Sequence, residues 1–292
     1  MTNPNLTIIG ERINPGFRST QALFDNEDIK GIQELAVRQK DAGASYLNVN
    51  VGQKTMDQPE FIVEVIKAIQ AVVDIPLSFD SPSAAIQESC LKVYDKEKAG
   101  GKKPILNSVA ESRWELVELN KIQPFKVILM ASERVEDGVS KANKFSKEVA
   151  GVAKRMSQKL VQEYGFELDD IIIDVSISAI AADMEGLTKM AIEGIKLIGL
   201  DPELKGVHMS GGLSNLGQQL PAKGTNGQPL KLQLENAFLT LVVPFGFDWV
   251  LGTPWREYRL LPEDDYFLQQ FKEIIELKGM DAMRGVLGLY RN

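Results

Sequence analysis

The sequence holds a single cysteine, Cys90, so no disulfide can form within the chain, and neither a multi-thiolate zinc site nor a cysteine-held iron–sulfur cluster can be assembled. Its single histidine, His208, likewise excludes a multi-histidine metal centre, and no metal site is expected. Nowhere do about 18 apolar residues run together, and the start, Met-Thr-Asn-Pro-Asn-Leu-Thr-Ile-Ile-Gly, lacks a basic segment followed by a long apolar stretch. A soluble, unsecreted, cytoplasmic protein without a membrane partner is the expectation. Positive charge is also short: 33 Lys and Arg stand against 40 Asp and Glu, a net charge of -7, which disfavours a broad phosphate-backbone footprint and hence nucleic acid as a partner.

What is present is enough apolar residue, 44% of 292, for a full core. Short β-branched runs alternate with longer stretches of helical period, the pattern of parallel strands joined by crossover helices. The strand-like runs cover 6–10, 46–51, 76–79, 104–106, 125–130, 170–173, 206–209 and 248–251. Helical stretches follow at 28–42, 59–73, 82–94, 111–121, 139–164, 185–199, 230–243 and 262–288. Eight such units predict an α/β protein, a single (β/α)₈ TIM barrel covering 1–292, a size in keeping with about 250 residues plus insertions. A doubly wound open sheet is the rival. Its glycine-rich phosphate fingerprint is missing, because the first strand leads into Gly10-Glu11-Arg12-Ile13-Asn14-Pro15-Gly16. Residues 96–103 and 221–229 read as exposed insertions, the second placed to act as a lid.

In a barrel the reactive groups belong at the carboxyl ends of the strands. Read in order, those ends supply Glu11, then Asn48 with Asn50, then Asp80 and Asn107. The later strands add Ser132, Asp174, Ser210, Asn215 and Thr253. Asn48 and Asn50, two apart, are expected on one face of the second strand. No lysine ends a strand as a Schiff-base enzyme needs, and no Gly-x-Ser-x-Gly elbow appears. A mouth of carboxylates and carboxamides suits the edge of a polar heterocycle, since a carboxylate accepts parallel N–H bonds and an amide both donates and accepts. A pterin has such an edge. Taken singly these groups have plainer readings: Asp80-Ser81-Pro82 and Asp174 suit helix capping, and Asn107-Ser108 suits turn chemistry. His208 reads as a hydrogen-bonded core residue, Cys90 as a small buried hydrophobe, and Met130, Met184, Met190 and Met209 as core filling.

Six short segments, in this order, carry a family likeness: Ile9-Gly10-Glu11-Arg12-Ile13-Asn14, Asn48-Val49-Asn50-Val51-Gly52, Phe79-Asp80-Ser81, Leu106-Asn107-Ser108, Ile173-Asp174 and Gly212-Leu213-Ser214-Asn215. Over nearly its whole length the chain resembles the pterin-binding methyltransferases, above all the methyltetrahydrofolate:corrinoid-protein methyltransferases of acetogenic and O-demethylase systems. The resemblance implies methyl transfer between N5 of methyltetrahydrofolate and the Co(I) corrinoid (cobalamin) of a separate corrinoid protein, in either direction, and a homodimer. It implies that Asp80, Asn107 and Asp174 hold the pterin ring, that Asn215 hydrogen-bonds near N5 as the catalytic group, and that Gly212 and Ser214 shape that wall. The family often carries an arginine shortly after the Gly-Leu-Ser-Asn segment; here the first basic residue is Lys223. No Asp-x-His-x-x-Gly segment is present to ligate a corrinoid within the chain. The alternatives are a dihydropteroate synthase, whose Ser-Arg-Lys type segment is replaced here by Ser214-Asn215-Leu216, and a non-catalytic folate-binding subunit.

Overall fold

A computed structural model describes residues 2–291. Eight parallel strands form the barrel wall: β1 (Thr7–Ile13), β2 (Tyr46–Val49), β3 (Leu77–Asp80), β4 (Ile105–Val109), β5 (Lys126–Met130), then, after a hairpin of β6 (Glu133–Glu136) and β7 (Val139–Ala142), β8 (Ile171–Asp174), β9 (His208–Ser210) and β10 (Trp249–Gly252). Their order around the wall is β10-β1-β2-β3-β4-β5-β8-β9. The seam between β9 and β10 is closed only by isolated parallel bridges, Met209 to Phe247 and Gly212 to Leu251. All eight runs read from the sequence are strands of this wall, and the expected (β/α)₈ architecture is the one observed.

The helices are α1 (Gln21–Asp25), α2 (Ile29–Asp41), α3 (Lys54–Asp57), α4 (Pro59–Ile69), α5 (Ala84–Val93), α6 (Ser146–Tyr164), α7 (Leu187–Gly199), α8 (Leu230–Val242), α9 (Tyr266–Glu276) and α10 (Gly279–Gly288). Their starts are chemically marked. Asp28 accepts from Gly31 N at 2.9 Å ahead of α2, Pro59 occupies the first turn of α4, and Asp265 accepts from Leu268 N at 3.0 Å ahead of α9. In α4, Phe61, Ile62, Val65, Ile66 and Ile69 recur at helical spacing and are all buried against the wall. None of the helices among the described residues is long and apolar enough to cross a membrane.

Strand alternation sorts the wall into two faces. Outward residues such as Leu47, Phe79, Leu129 and Ile173 pack under the helices. The inward set Ile9, Tyr46, Ile105, Ile128, Ile172 and Trp249 fills the barrel interior. The next inward positions towards the carboxyl ends hold Glu11, Asn48, Asp80 and Asn107 on β1 to β4, Asp174 on β8 and Ser210 on β9. The barrel is therefore plugged with hydrocarbon below and lined with polar groups above.

Several expectations need correction. The stretch 139–164 does not begin as helix: β6 and β7 turn back on each other through Asp137 and Gly138, both at positive φ (54° and 76°), a turn that the Asp-Gly pair favours. Residues Glu111–Lys121 form 3₁₀ turns kinked at Arg113 instead of an α-helix, and the final helical region breaks into α9 and α10. Asn50 lies beyond the end of β2 and does not share a strand face with Asn48. Its Oδ1 accepts from Gly52 N at 2.7 Å, closing a local turn that outcompetes strand extension. Met184 is 45% exposed and fills no core, whereas Met190 and Met209 are buried as expected.

Candidate active site at the barrel mouth

The polar upper ends of β1 to β3 and the turn after β9 enclose a cavity of about 580 Å³. Of the residues expected in the site, Asp80, Gly212, Ser214 and Asn215 line it, joined by Glu11 and Asn48. Asn107 stands one residue behind: its Nδ2 donates to Asn48 Oδ1 at 3.3 Å, and Asn48 Nδ2 donates in turn to Asp80 Oδ2 at 2.9 Å. Ser78 Oγ also donates to Asn48 Oδ1, at 3.1 Å, so the carboxamide is held on both sides. With Oδ2 taken, the second oxygen of Asp80 is the acceptor left for a ligand. The β3–β4 rim is braced from outside the barrel by buried Gln87, whose Nε2 donates to the carbonyls of Phe79, Ser81 and Asn107 at 2.9, 2.8 and 3.0 Å. Asp80 and Asn107 are also direct register partners. Neither acts as a helix cap: Ser83 precedes α5 and caps nothing with its side chain.

Asp174 does not line this cavity. It ends β8 on the same inward layer, paired in register with Ser210, and its Oδ1 accepts from Ser176 N at 2.7 Å. Burial pushes its carboxyl up to about 6, against the lowering pull of that N–H bond. Ser210 Oγ beside it is buried without a hydrogen-bond partner. A carboxyl held back from ionisation and an unpartnered hydroxyl together form a second polar patch that a ligand's N–H groups would satisfy.

Opposite Asp80 the chain makes a 3₁₀ turn, Leu213–Gly217. Gln218 Nε2 donates to Asn215 Oδ1 at 2.7 Å, which fixes the amide and leaves its Nδ2 as donor. A Cβ on Gly212 would come within 2.8 Å of that nitrogen, so glycine is required for the amide to sit there. Glu11 ties this turn to the barrel: Ser214 Oγ donates to its Oε2 at 2.8 Å and Thr253 Oγ1 to its Oε1 at 2.7 Å. Burial raises the Glu11 carboxyl above its ordinary value, opposed by those two hydrogen bonds and by Arg256 and Arg12.

Sequence reasoning did not assign the third wall, made by Arg12, Phe17, Lys231 and Arg256. The signal was a basic residue next to Glu11 and next to Trp255, in Glu11-Arg12 and Trp255-Arg256. Arg256 is anchored by an ion pair to Glu235, fully buried on α8. Lys223, by contrast, is exposed in the 221–229 loop, outside the cavity wall. Ser132 also stands apart, its carbonyl accepting from Asn143 N at 2.8 Å at the foot of the β6–β7 hairpin. His208 sits at the opposite, amino-terminal end of the barrel, where its ring bonds Asp248 (2.7 Å) and Asp169 (3.1 Å). Cys90 is buried in α5, its thiol pushed up to about 12 by burial. Among the described residues, no group of three or more His, Cys, Asp or Glu side chains is placed to hold a metal ion.

Solved structures share this architecture. The dihydropteroate synthase of Vibrio fischeri ES114 superposes with a TM-score of 0.55 at 15% identity, covering 93% of this chain and 94% of that one. That of Thermus thermophilus, in complex with 6HMPPP, gives 0.56 at 16% identity, covering 87% and 90%. At such identities the likeness speaks to the fold alone. In sequence, the chain is 25% identical over 261 residues to the methylcorrinoid:tetrahydrofolate methyltransferase of Eubacterium limosum, covering 85% of each protein. The pterin-binding enzyme family matches residues 11–249, a span that opens on the inward Glu11 of β1 and closes on Trp249 of β10, and so takes in Asp80, Asn107, Asp174 and Asn215 but not Thr253 or Arg256. By that match the chain belongs to the pterin-binding enzyme family.

Proposed function

We propose that this protein transfers a methyl group between N5 of methyltetrahydrofolate and the cobalt of a corrinoid carried by a partner protein. The observation that carries the reading is the placement of Asp80 and Asn215 on facing walls of one open cavity, one offering a carboxylate acceptor and the other an amide fixed in place. The 25% identity to a methylcorrinoid:tetrahydrofolate methyltransferase supports the same chemistry. The cavity suits the ligand: the carboxylate of Asp80, backed by Asn48 and Asn107, matches the N–H edge of a pterin, and Asp174 with Ser210 offers further acceptors on the inward layer.

A methylated tertiary amine is a poor leaving group, so loss of methyl requires N5 to gain a proton as the N–C bond breaks. The methyl moves to cobalt, which as Co(I) supplies the electron pair of the new bond, while the old bonding pair stays on N5 with the proton. The chain's own part is to hold the ring, to keep the methyl directed to the open mouth, and to stabilise the charge that develops at N5. Asn215 does the last through its Oδ1, which keeps a lone pair beside the Gln218 bond and accepts from the N–H that forms at N5 in the transition state, with the Glu11–Ser214 bond fixing its turn. In the reverse direction the same contacts stabilise the same transition state.

A dihydropteroate synthase reading draws only on the shared fold, and the turn after β9 holds Ser214-Asn215-Leu216 in place of that family's basic segment. Mixing the protein with methyltetrahydrofolate and Co(I) cobalamin, or with its native corrinoid protein, should produce the methylcobalamin spectrum. Asn215→Ala should slow single-turnover transfer roughly 10²–10³-fold, the scale of losing one preorganised hydrogen bond to developing charge. Folate binding without transfer to either acceptor would make the protein a carrier subunit and overturn the proposal.

A further inference from the structure

The upper end of β3 is held by a side chain that takes no part in lining the cavity. Gln87 lies in the first turns of α5, fully buried on the helix side of the wall. Its Nε2 donates to the carbonyls of Phe79 and Ser81, at 2.9 and 2.8 Å, the residues immediately before and after Asp80. The backbone on both sides of Asp80 is thereby tied to one nitrogen. That nitrogen also reaches the carbonyl of Asn107 on β4 at 3.0 Å, an oxygen that accepts from Ser81 N as well, at 3.2 Å.

Asp80 and Asn107 form the last register pair between β3 and β4, so the ladder itself holds nothing beyond them. A strand end past its ladder is free to shift unless its carbonyls find other donors. Inside the barrel the two side chains are joined through Asn48 alone, by the bonds of 2.9 and 3.3 Å. Gln87 completes the connection from outside, through the main chain. The amide does so against its own interest: with its N–H groups turned to three carbonyls, its Oε1 is buried with no hydrogen-bond partner. An orphaned acceptor in the core lowers stability, and what it secures is the aim of Asp80 into the cavity.

We propose that Gln87 is a positioning residue for the ring-binding wall. It fixes the direction in which Asp80 presents its free oxygen and the spacing between Asp80 and Asn107, and so sets the affinity for the folate without touching it. The inference rests on the folate reading above. Binding is what this brace governs, since a hydrogen bond to a carboxylate weakens steeply once it leaves its line. The chemical step is governed elsewhere: Asn215 is held on the facing wall by Gln218 and by the Ser214–Glu11 bond, none of which involves Gln87.

The test separates affinity from rate. Gln87→Leu keeps the volume and removes all three bonds, whereas Gln87→Asn keeps the amide but draws it back by one methylene, with less risk to folding. In calorimetry with methyltetrahydrofolate both should bind roughly tenfold more weakly than the unaltered protein, the scale of one misaligned bond to a charged group. At saturating methyltetrahydrofolate, single-turnover transfer to Co(I) cobalamin should stay within about threefold of the parent. Cys90→Ala, one turn further along the same helix, is the control: it should lower the urea midpoint and leave the affinity unchanged. Gln87 variants that lose stability yet bind as tightly as the parent would give Gln87 a structural role alone and overturn the proposal. An equal loss of affinity in Cys90→Ala would do the same, as would a rate that falls while affinity holds. No binding by the unaltered protein would overturn the folate reading, and this inference with it.

Discussion

At Asp174 the fold keeps a carboxyl where burial opposes its ionisation, with one N–H bond from Ser176 in partial compensation. Its folded-state value, raised from 3.8 to about 6, means that the native state holds a proton the unfolded chain has released between those two pH values. Stability contributed by this group is therefore lost as pH rises from about 4 to about 6, and stays lost above. Asp174→Asn should remove that loss. In urea denaturation the variant is expected to be more stable than the parent at pH 8, by on the order of 1–3 kcal/mol, with the gap narrowing towards pH 4. The same change should weaken tetrahydrofolate binding by about 1.5–3 kcal/mol, the range for a hydrogen bond to a charged group. Parallel pH profiles for the two proteins would show that Asp174 ionises freely. A side chain that lowers stability while facing the ligand layer is what a binding role entails, because its missing partners are supplied by the ligand.

Elements meet with little tolerance where backbone touches backbone. Gly199 closes α7 against the turn Val243–Phe245, and a Cβ there would lie 1.9 Å from the Phe245 carbonyl oxygen. Gly151, inside α6, faces only the tip of Arg155, 3.8 Å away. Gly199→Ala should thus cost about 1–3 kcal/mol through overpacking, whereas Gly151→Ala should gain about 0.5–1 kcal/mol from helix propensity. Opposite shifts in the urea midpoint would display the contrast; two shifts of the same sign would refute it. At this scale the sequence was legible in kind but not in every boundary. Strands were found because each is an apolar run buried on both faces. The β6–β7 hairpin was missed although Asp137-Gly138 announces it, because the helical period of the following α6 was extended backwards over β7. The 3₁₀ character of Glu111–Lys121 and the break between α9 and α10 depend on packing that periodicity does not encode.

For the molecule as a whole, the weakest join is the β9–β10 seam, and it is fastened at the amino-terminal end of the barrel by His208. Its ring bonds Asp248, next to β10, and Asp169, just ahead of β8, while Met209 N donates to Asp248 Oδ1 at 3.3 Å. Desolvation lowers the His208 pKa, but the two carboxylates outweigh it and leave the value above 6.5. The stabilisation is full below pH 6.5 and is lost as pH rises through the raised value. His208→Ala should therefore cost about 1–2 kcal/mol at pH 6 and less at pH 9, measurable by denaturation at the two pH values. A cost independent of pH would mean that packing against Trp249, 5.0 Å away between ring centres, outweighs the charge. The seam also explains how far the site could be foreseen. Eight apolar runs separated by helical stretches determined the barrel from sequence alone, and the polar residues ending those runs marked where Glu11, Asn48, Asp80, Asn107, Asp174 and Ser210 would gather, since a parallel barrel brings the carboxyl ends of its strands together. Only the tertiary structure decided that Asp80 and Asn215 share a cavity wall to wall while Asp174 stands outside it, and that Arg12, Arg38 and Trp255 stack together. Those relations join residues far apart in the chain, and their distances are set by how the wall closes and how each loop folds back, which no local pattern of residues records.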